Sequence, residues 1–176
     1  EKVASGEEPW ASAWNDIRNK STPRADVSST MTDGGALQSQ GEDAYVLAIK
    51  WVVTGDQNFA NEGIAIVDTW VNTVDTFNLG TDTSLRIGLG ANMMASAAEI
   101  LAHGFNGGAG WSSTRISNAQ AWFKDLVYPL SSTGPRRSLN WGTACVAGNM
   151  AMAVFCDDMP MFNDAIDASK FGFTNT

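Results

Sequence analysis

Helices rich in small side chains recur along this chain, beginning near positions 41, 91 and 141. Each is followed by a short turn and then by an amphipathic helix with larger apolar residues, such as Trp70 and Trp122. A period of about 50 residues is typical of stacked helical hairpins, because one hairpin alone cannot bury its apolar face. Small side chains let helix backbones approach closely, so we expect an inner ring of small-residue helices and an outer ring of amphipathic ones. The pattern predicts an all-α fold of stacked helical hairpins.

The chain is predicted to form a single domain over residues 1–176, which is long enough to bury a sizeable core. Gly55 is expected to end the helix predicted over 41–53 by adopting the left-handed conformation. Asp56 is expected to cap the start of the next helix. Pro129 is expected to end the fifth helix. No alternating stretch longer than four residues lies between turn signals, so no strand is predicted. We predict helices over 7–20, 41–53, 59–74, 91–102, 114–128, 141–156 and 160–170, with loops over 21–40, 78–90 and 131–140.

The net charge of the chain is -8, and its largest basic cluster is the pair Arg136 and Arg137. Binding to a nucleic-acid backbone needs a basic surface, so we expect no nucleic-acid partner. No apolar run approaches the roughly 18 residues of a membrane span, so no membrane anchor is expected. Only 17% of the residues are charged and neutral polar residues are abundant, a balance that is common in extracellular proteins. Together with the charged opening at Glu1, this favours a secreted, processed chain.

The cysteines and the single histidine predict neither a disulfide within this chain nor a metal site. Cys145 and Cys156 fall on one predicted helix, roughly 16 Å apart at about 1.5 Å per residue, which is too far for a disulfide between them. Two interpretations stay open, a pair of buried apolar thiols or a bridge to a part of the protein outside this sequence. His103 is distant from both, so no zinc site and no cofactor are predicted.

Several short phrases occur in the order and at the spacing found in one known family. They are Glu7-Glu8-Pro9-Trp10, the runs over 41–56 and 97–101, Gly110-Trp111-Ser112, Tyr128-Pro129 and Asn140-Trp141-Gly142-Thr143. Together they resemble the first part of the polysaccharide lyases of the alginate lyase superfamily. The resemblance implies an all-α fold whose helical hairpins form a partial (α/α) toroid. It also implies β-elimination on a uronate-containing polysaccharide, such as alginate or glucuronan. It also implies a catalytic domain about twice as long, so we expect a further C-terminal segment or a homodimer.

In that family an Asn-His pair and a Tyr commonly carry the reaction. The uronate carboxylate is neutralised, a base removes the C5 proton, and an acid protonates the leaving oxygen. The resemblance places Asn140 on the catalytic Asn of the family, whereas Trp141 stands where the His is expected. Asn140 would neutralise the carboxylate, or cap the helix that follows it. Trp141 would stack on a sugar ring, or pack within the toroid.

Parallel inner helices would place their N-terminal ends on one face, which is the candidate site. His103 lies at the C-terminal end of its helix and is expected on the opposite face, where the helix dipole favours it. An Arg on the site face could bind a carboxylate through two hydrogen bonds. Beside Asn140 and Trp141, the substrate-binding candidates are Gln38, Gln40, Asn92, Arg136, Arg137 and Tyr128. An ordinary loop, capping, surface or packing role is the alternative for each of them.

Three functional hypotheses follow from these observations. The first is a polysaccharide lyase-like protein that cleaves an anionic, uronate-containing polymer by β-elimination. The alternative is a non-catalytic, lectin-like carbohydrate-binding protein on the same helical scaffold, which the missing His and the acidic charge favour. A structural protein that keeps only the fold is a third hypothesis. An anionic polymer would need a local basic pocket, because the net charge of -8 repels it.

Overall fold

The computed structural model describes residues 1–32, 34–134 and 139–174, and most of this part of the chain is helical. The helices are α1 (Trp10–Arg18), α2 (Gly35–Thr54), α3 (Gln57–Thr73), α4 (Thr83–Gly107), α5 (Ser113–Trp122), α6 (Tyr128–Ser131), α7 (Leu139–Phe155) and α8 (Met159–Thr174). A π-helical turn, Phe123–Val127, joins α5 to α6. The predicted all-α class is confirmed. Within the described ranges, no helix combines the length and the apolar character that a membrane span needs.

Helices α2 and α4 pack side by side in the inner layer. Gly90 of α4 lies against Gln38, and Met94, one turn later in α4, lies against Gly41. Because later residues of α2 meet later residues of α4, the two helices run parallel. A Cβ atom at Gly41 would stand 2.7 Å from the carbonyl oxygen of Gly90. Any side chain at this position would therefore push the two backbones apart.

Helix α7 packs on the other flank of α4 in the same direction. The indole nitrogen of Trp141 donates a hydrogen bond of 3.2 Å to the Ser84 hydroxyl near the start of both helices. Further along, a Cβ atom at Gly148 would stand 2.4 Å from the carbonyl oxygen of Gly88. The predicted inner ring of small-residue helices is thus represented by α2, α4 and α7, three parallel helices in close contact.

The amphipathic helices return outside this layer and bury large aromatic side chains against it. Trp122 of α5 donates a 2.9 Å hydrogen bond from its indole nitrogen to the Val74 carbonyl oxygen. This bond joins the end of α5 to the residue that follows α3. Phe155, at the end of α7, stacks on Trp111 with the ring centroids 6.2 Å apart and meets Phe123 edge-on at 5.7 Å. The core is therefore continuous between the inner and outer helices.

Two inner helices begin earlier than the sequence predicted. Helix α2 begins at Gly35 rather than near 41, and α4 begins at Thr83 rather than near 91. Gly88 and Gly90 indicated a loop, because glycine disfavours a helix by about 1 kcal/mol relative to alanine. Each of these glycines instead lies against the backbone of a neighbouring helix. This close packing outweighs the low helix propensity of glycine.

Pro129 does not end its helix, which is a second correction. The chain passes through the π-helical turn Phe123–Val127 and continues as α6, in which Pro129 occupies the first turn. A π-helical turn shifts the backbone hydrogen-bond partners by one residue, so that the missing N–H of proline falls at the start of a new α-helical segment. A proline is tolerated there because the first N–H groups of a helix have no intrahelical partner.

A short pair of strands was not predicted from the sequence. Strand β1 (Thr30–Thr32) runs parallel to β2 (Thr76–Asn78), with Met31 opposite Phe77. Both of these side chains are buried. Strands of three residues are too short for an alternating pattern to stand out. They fasten the segment before α2 to the turn after α3.

The turn between α2 and α3 agrees with the sequence prediction. Gly55 has a φ of 72° at the end of α2, and the Asp56 carboxylate accepts a 3.0 Å hydrogen bond from the Asn58 N–H at the start of α3. Cys145 and Cys156 form no disulfide within the described residues. Burial raises the pKa of the half-buried Cys156 thiol to about 12, so this thiol stays protonated at neutral pH.

Candidate functional site

The starts of α2, α4 and α7 lie at one end of the inner layer, which we call the N-terminal rim. Gln38 is exposed in the first turn of α2, and Asn140 is exposed in the first turn of α7. Because α7 begins at Leu139, Asn140 lies inside the helix and not before it as the predicted cap would. The unpaired N–H groups and partial positive charge of a helix start favour anionic ligands.

Trp141 is a contact between two helices at this rim. Its half-buried indole donates to the Ser84 hydroxyl at 3.2 Å, and the Cys145 thiol donates to the Ser84 carbonyl oxygen, also at 3.2 Å. Ser84 itself is buried. These contacts fix the start of α7 against α4. The packing role that the sequence left open for Trp141 is therefore present in the structure.

The N-terminal rim is staggered rather than flat. Gln38 lies against Gly90, whereas Trp141 is bonded to Ser84, six residues earlier in α4. At about 1.5 Å per residue, Gln38 therefore lies roughly 9 Å further along α4 than Trp141. Asn92 was expected in the first turn of its helix, but α4 begins at Thr83. Asn92 consequently lies near the middle of α4, roughly 3 Å further along this helix than the Gly90 that lies against Gln38.

Asn92 instead lines a groove of about 490 Å³ formed by residues of α2, α4, α7 and α8. Tyr45, Ser96 and Glu99 supply further polar groups, and the apolar wall includes Met150, Val154 and Phe162. Tyr45, expected in the core, is half-buried and faces the groove as well as the core. None of the described residues that line this groove is basic.

One carboxylate oxygen of Glu99, Oε2, is buried and has no hydrogen-bond partner among the described residues. Buried polar atoms are normally paired, and a charged group without a partner is especially unfavourable. Glu99 is also the only acidic residue among the described residues that line the groove. The carboxylate is thus an unused hydrogen-bond acceptor at the wall of the groove.

Gln40 bonds to the segment before α2. Its side-chain amide donates to the Pro23 carbonyl oxygen at 2.9 Å and to Asp43 Oδ2 at 3.0 Å, and it accepts from the Ala25 N–H at 3.0 Å. Gln40 is buried, and it fastens the segment before α2 to that helix. Burial is the main cause of the raised pKa of Asp43; Lys20 lowers this pKa and Glu42 raises it.

Tyr128 is half-buried and packs against the hydrophobic core. Burial raises the pKa of its phenol, and the nearby carboxylates of Asp164 and Asp158 raise it further. Asp164 belongs to α8, and Asp158 precedes the start of α8. Tyr128 therefore keeps its proton at neutral pH and lies beside an outer helix.

The remaining candidates are separated by the length of α4 or fall outside the described residues. His103 is exposed near the C-terminal end of α4, whereas Ser84, which contacts Trp141, lies at the other end. The structure thus places His103 and Asn140 at opposite ends of the inner layer. Arg136 and Arg137 lie outside the described residues.

Ser84, Tyr45, Ser96 and Glu99 were not predicted as site residues. The sequence carried one signal for the groove, since Asn92, Ser96 and Glu99 are spaced i, i+4 and i+7 within an otherwise apolar, small-residue helix. That spacing puts three polar side chains on one helix face. Within the described ranges, no three His, Cys, Asp or Glu side chains come together as they would to hold a metal ion.

Comparison with known proteins gave one result. The family model described as alginate lyase matches residues 3–176. No curated protein and no solved structure matches the chain. The family model therefore covers every element described above.

Proposed function

We propose that this chain, which belongs to the alginate lyase family, cleaves a uronate-containing polysaccharide by β-elimination at the N-terminal rim. The observation that carries the proposal is the position of Asn140, exposed in the first turn of α7 and within a chain that the family model matches over residues 3–176. A uronate carboxylate at this point would meet the Asn140 amide and the positive end of the helix.

In this reaction a base takes up the proton on C5, and the electron pair of the broken C5–H bond forms the C4–C5 double bond. The bond from C4 to the bridging oxygen breaks at the same time, and that oxygen takes up a proton. The carboxylate on C5 must be neutralised for the proton to become acidic enough. We assign this neutralisation to Asn140, assisted by Arg136 and Arg137, which precede α7 in the sequence and suit a carboxylate.

A lectin-like, non-catalytic carbohydrate-binding function is the second candidate, and a specific observation favours it. Trp141 stands where the family resemblance leads us to expect a His, and its indole is bonded to Ser84. His103 lies at the far end of α4, and Tyr128 keeps its proton at neutral pH. Neither residue is therefore suited to remove the C5 proton of a uronate bound at Asn140. On this hypothesis the N-terminal rim binds the uronate chain but does not cleave it.

The two candidates are separated by incubating the protein with alginate or glucuronan and following the far-ultraviolet absorbance of the unsaturated product. A lyase gives a rising signal, and Asn140→Ala is expected to lower the rate about 100-fold, the effect of removing one donor to a developing anion. Asn118→Ala is the matched control, because Asn118 is exposed on the outer helix α5. It should leave the rate unchanged.

Binding of the polymer without any product would favour the lectin-like function. A rate that is equal in wild type and Asn140→Ala would contradict the assignment of Asn140. The secreted location and the completion of the ring by a further segment or a second copy stay predictions. Sedimentation of the chain at several concentrations tests the second copy directly.

A further inference from the structure

We propose that the groove formed by α2, α4, α7 and α8 binds a sugar that carries an unsubstituted amino group, with Glu99 as the partner of the protonated amine. This site is separate from the N-terminal rim and does not depend on lyase activity. Its ligand also differs in charge from the uronate chain proposed for the rim.

The first observation is the unpaired oxygen of Glu99. Glu99 lines the groove, and its Oε2 atom is buried and has no hydrogen-bond partner among the described residues. A carboxylate carries no proton to donate, so its natural partner is a hydrogen-bond donor, and a cationic donor gives the strongest bond. An ammonium group bound in the groove beside the Glu99 carboxylate would supply the missing countercharge.

The second observation is the charge of the groove. Among the described residues of its lining, Glu99 is acidic and none is basic. The chain as a whole has a net charge of -8, which adds to the negative potential. A uronate carboxylate in this groove would face Glu99 without a neutralising group. Charge complementarity therefore selects a cationic ligand over an anionic one.

The third observation is the mixture of polar groups and apolar wall. The Tyr45 hydroxyl, the Asn92 amide and the Ser96 hydroxyl line one part of the groove, where they can bond sugar hydroxyl groups. Phe162 and Met150 line another part and offer an apolar surface to the face of a sugar ring. A volume of about 490 Å³ lies within the range of small-ligand sites. These features suit an amino sugar better than a bare ammonium ion.

The probe is a short oligomer of glucosamine, compared with its fully N-acetylated counterpart and with an oligomer of uronate. Binding to the wild-type protein is measured by isothermal titration calorimetry in a buffer that keeps the sugar amine protonated. We expect the glucosamine oligomer to bind at least about ten-fold more tightly than the acetylated one, because acetylation removes the charge that Glu99 would pair. The uronate oligomer should not compete for the groove.

Glu99→Gln is the matched variant, and Glu62→Gln is its control. Glu62 is exposed on α3 and forms an ion pair with Arg24 at 2.8 Å, so its replacement removes the same charge from another surface. Glu99→Gln should weaken glucosamine binding about ten-fold and leave the acetylated oligomer unaffected. Glu62→Gln and Asn140→Ala should bind like wild type, which separates this site from the proposed lyase site.

Equal binding of the amino and acetylated oligomers by the wild-type protein would overturn the proposal, whatever the variants do. Binding of glucosamine that is unchanged in a folded Glu99→Gln variant would overturn it as well. Circular dichroism of each variant establishes that it is folded. If Glu99→Gln does not fold, the wild-type comparison of the two oligomers still decides the outcome.

Discussion

Buried polar groups that join elements of the fold away from the groove differ from the buried polar group at the groove. Away from the groove, Asp68 of α3 accepts a 3.2 Å hydrogen bond from the indole nitrogen of Trp111 and pairs with Arg115 of α5. The side-chain amide of Gln40 both donates and accepts a hydrogen bond. At the groove, Oε2 of Glu99 has no partner among the described residues. The paired groups hold elements of this chain together, whereas Glu99 holds nothing that the structure describes.

This difference separates structural polar groups from candidate binding groups. A buried donor or acceptor that lacks a partner costs more than a paired one gains, so replacing the two kinds should change stability in opposite directions. The Nε1 atom of Trp70 is also unpaired among the described residues, but it is neutral and belongs to the core. Glu99 differs because it is ionisable and lines the groove.

The largest effect is expected from Asp68→Ala. This change leaves the Trp111 indole nitrogen and the Arg115 guanidinium without their shared partner between α3 and α5. We expect a loss of about 3 kcal/mol in the free energy of unfolding, at the low end for a broken buried pair because Arg115 is half exposed. Urea unfolding followed by circular dichroism measures it.

Glu62→Ala is the control for that measurement, since Glu62 lies on the same helix and its ion pair with Arg24 is exposed. It should change the free energy of unfolding by less than about 1 kcal/mol. Equal losses in the two variants would show that burial and pairing at Asp68 add nothing to stability.

A second, smaller loss is expected from Gln40→Ala. The substitution leaves the Ala25 N–H and the Pro23 carbonyl oxygen without their partner and removes the donor to Asp43. We expect a loss of about 2 kcal/mol, because three hydrogen bonds disappear but the backbone groups regain some contact with water. Gln38→Ala, two residues away and exposed, should change stability by less than about 0.5 kcal/mol.

Glu99→Leu should act in the opposite direction. Leucine removes the unpaired carboxylate and extends the apolar wall formed by Met150 and Phe162. We expect a gain of about 1 kcal/mol in the free energy of unfolding, together with loss of glucosamine binding. A thermal melt with and without the glucosamine oligomer measures both effects. A clear destabilisation would show that Glu99 has a structural partner and would remove the difference between the two regions.

The sequence predicts the repeat and the inner helices because both depend on residue type along the chain. Small residues near 41, 91 and 141 indicated close helix contacts, and Gly41, Gly88 and Gly148 make such contacts. The helix starts at Gly35 and Thr83 were missed because they depend on a neighbouring backbone. Local propensity carries no information about that neighbour.

The candidate site could be predicted only in part. Asn140 and Gln38 follow from the direction of the inner helices, and both are exposed at the N-terminal rim. The bond between Trp141 and Ser84 joins residues far apart in the chain, so no local pattern reveals it. The spacing of the polar residues of α4 indicates a face, but the placement of α7 and α8 decides that this face becomes a groove.

The smallest effect concerns pH and Asp43, whose carboxylate is paired with Gln40 but still buried. Burial raises its pKa in the folded protein above the ordinary value of 3.8. The folded state therefore holds this proton to a higher pH than the unfolded state does. As pH rises from about 3.8 through the raised pKa, the Asp43 contribution to stability should decrease. Above this pH range the folded protein buries a charged carboxylate, which lowers the free energy of unfolding. The uncharged amide of an Asn at this position has no such effect.

Asp43→Asn carries no proton to lose, so its stability relative to wild type should increase as pH rises through that window. Thermal melts of both proteins in parallel buffers measure this difference, in which the other titrating groups cancel. If Asp43→Asn loses stability relative to wild type with rising pH, the Asp43 carboxylate is better paired when charged than when neutral. The buried polar groups away from the groove would then include a well-paired charge at Asp43, and their difference from Glu99 would be larger than the structure alone implies.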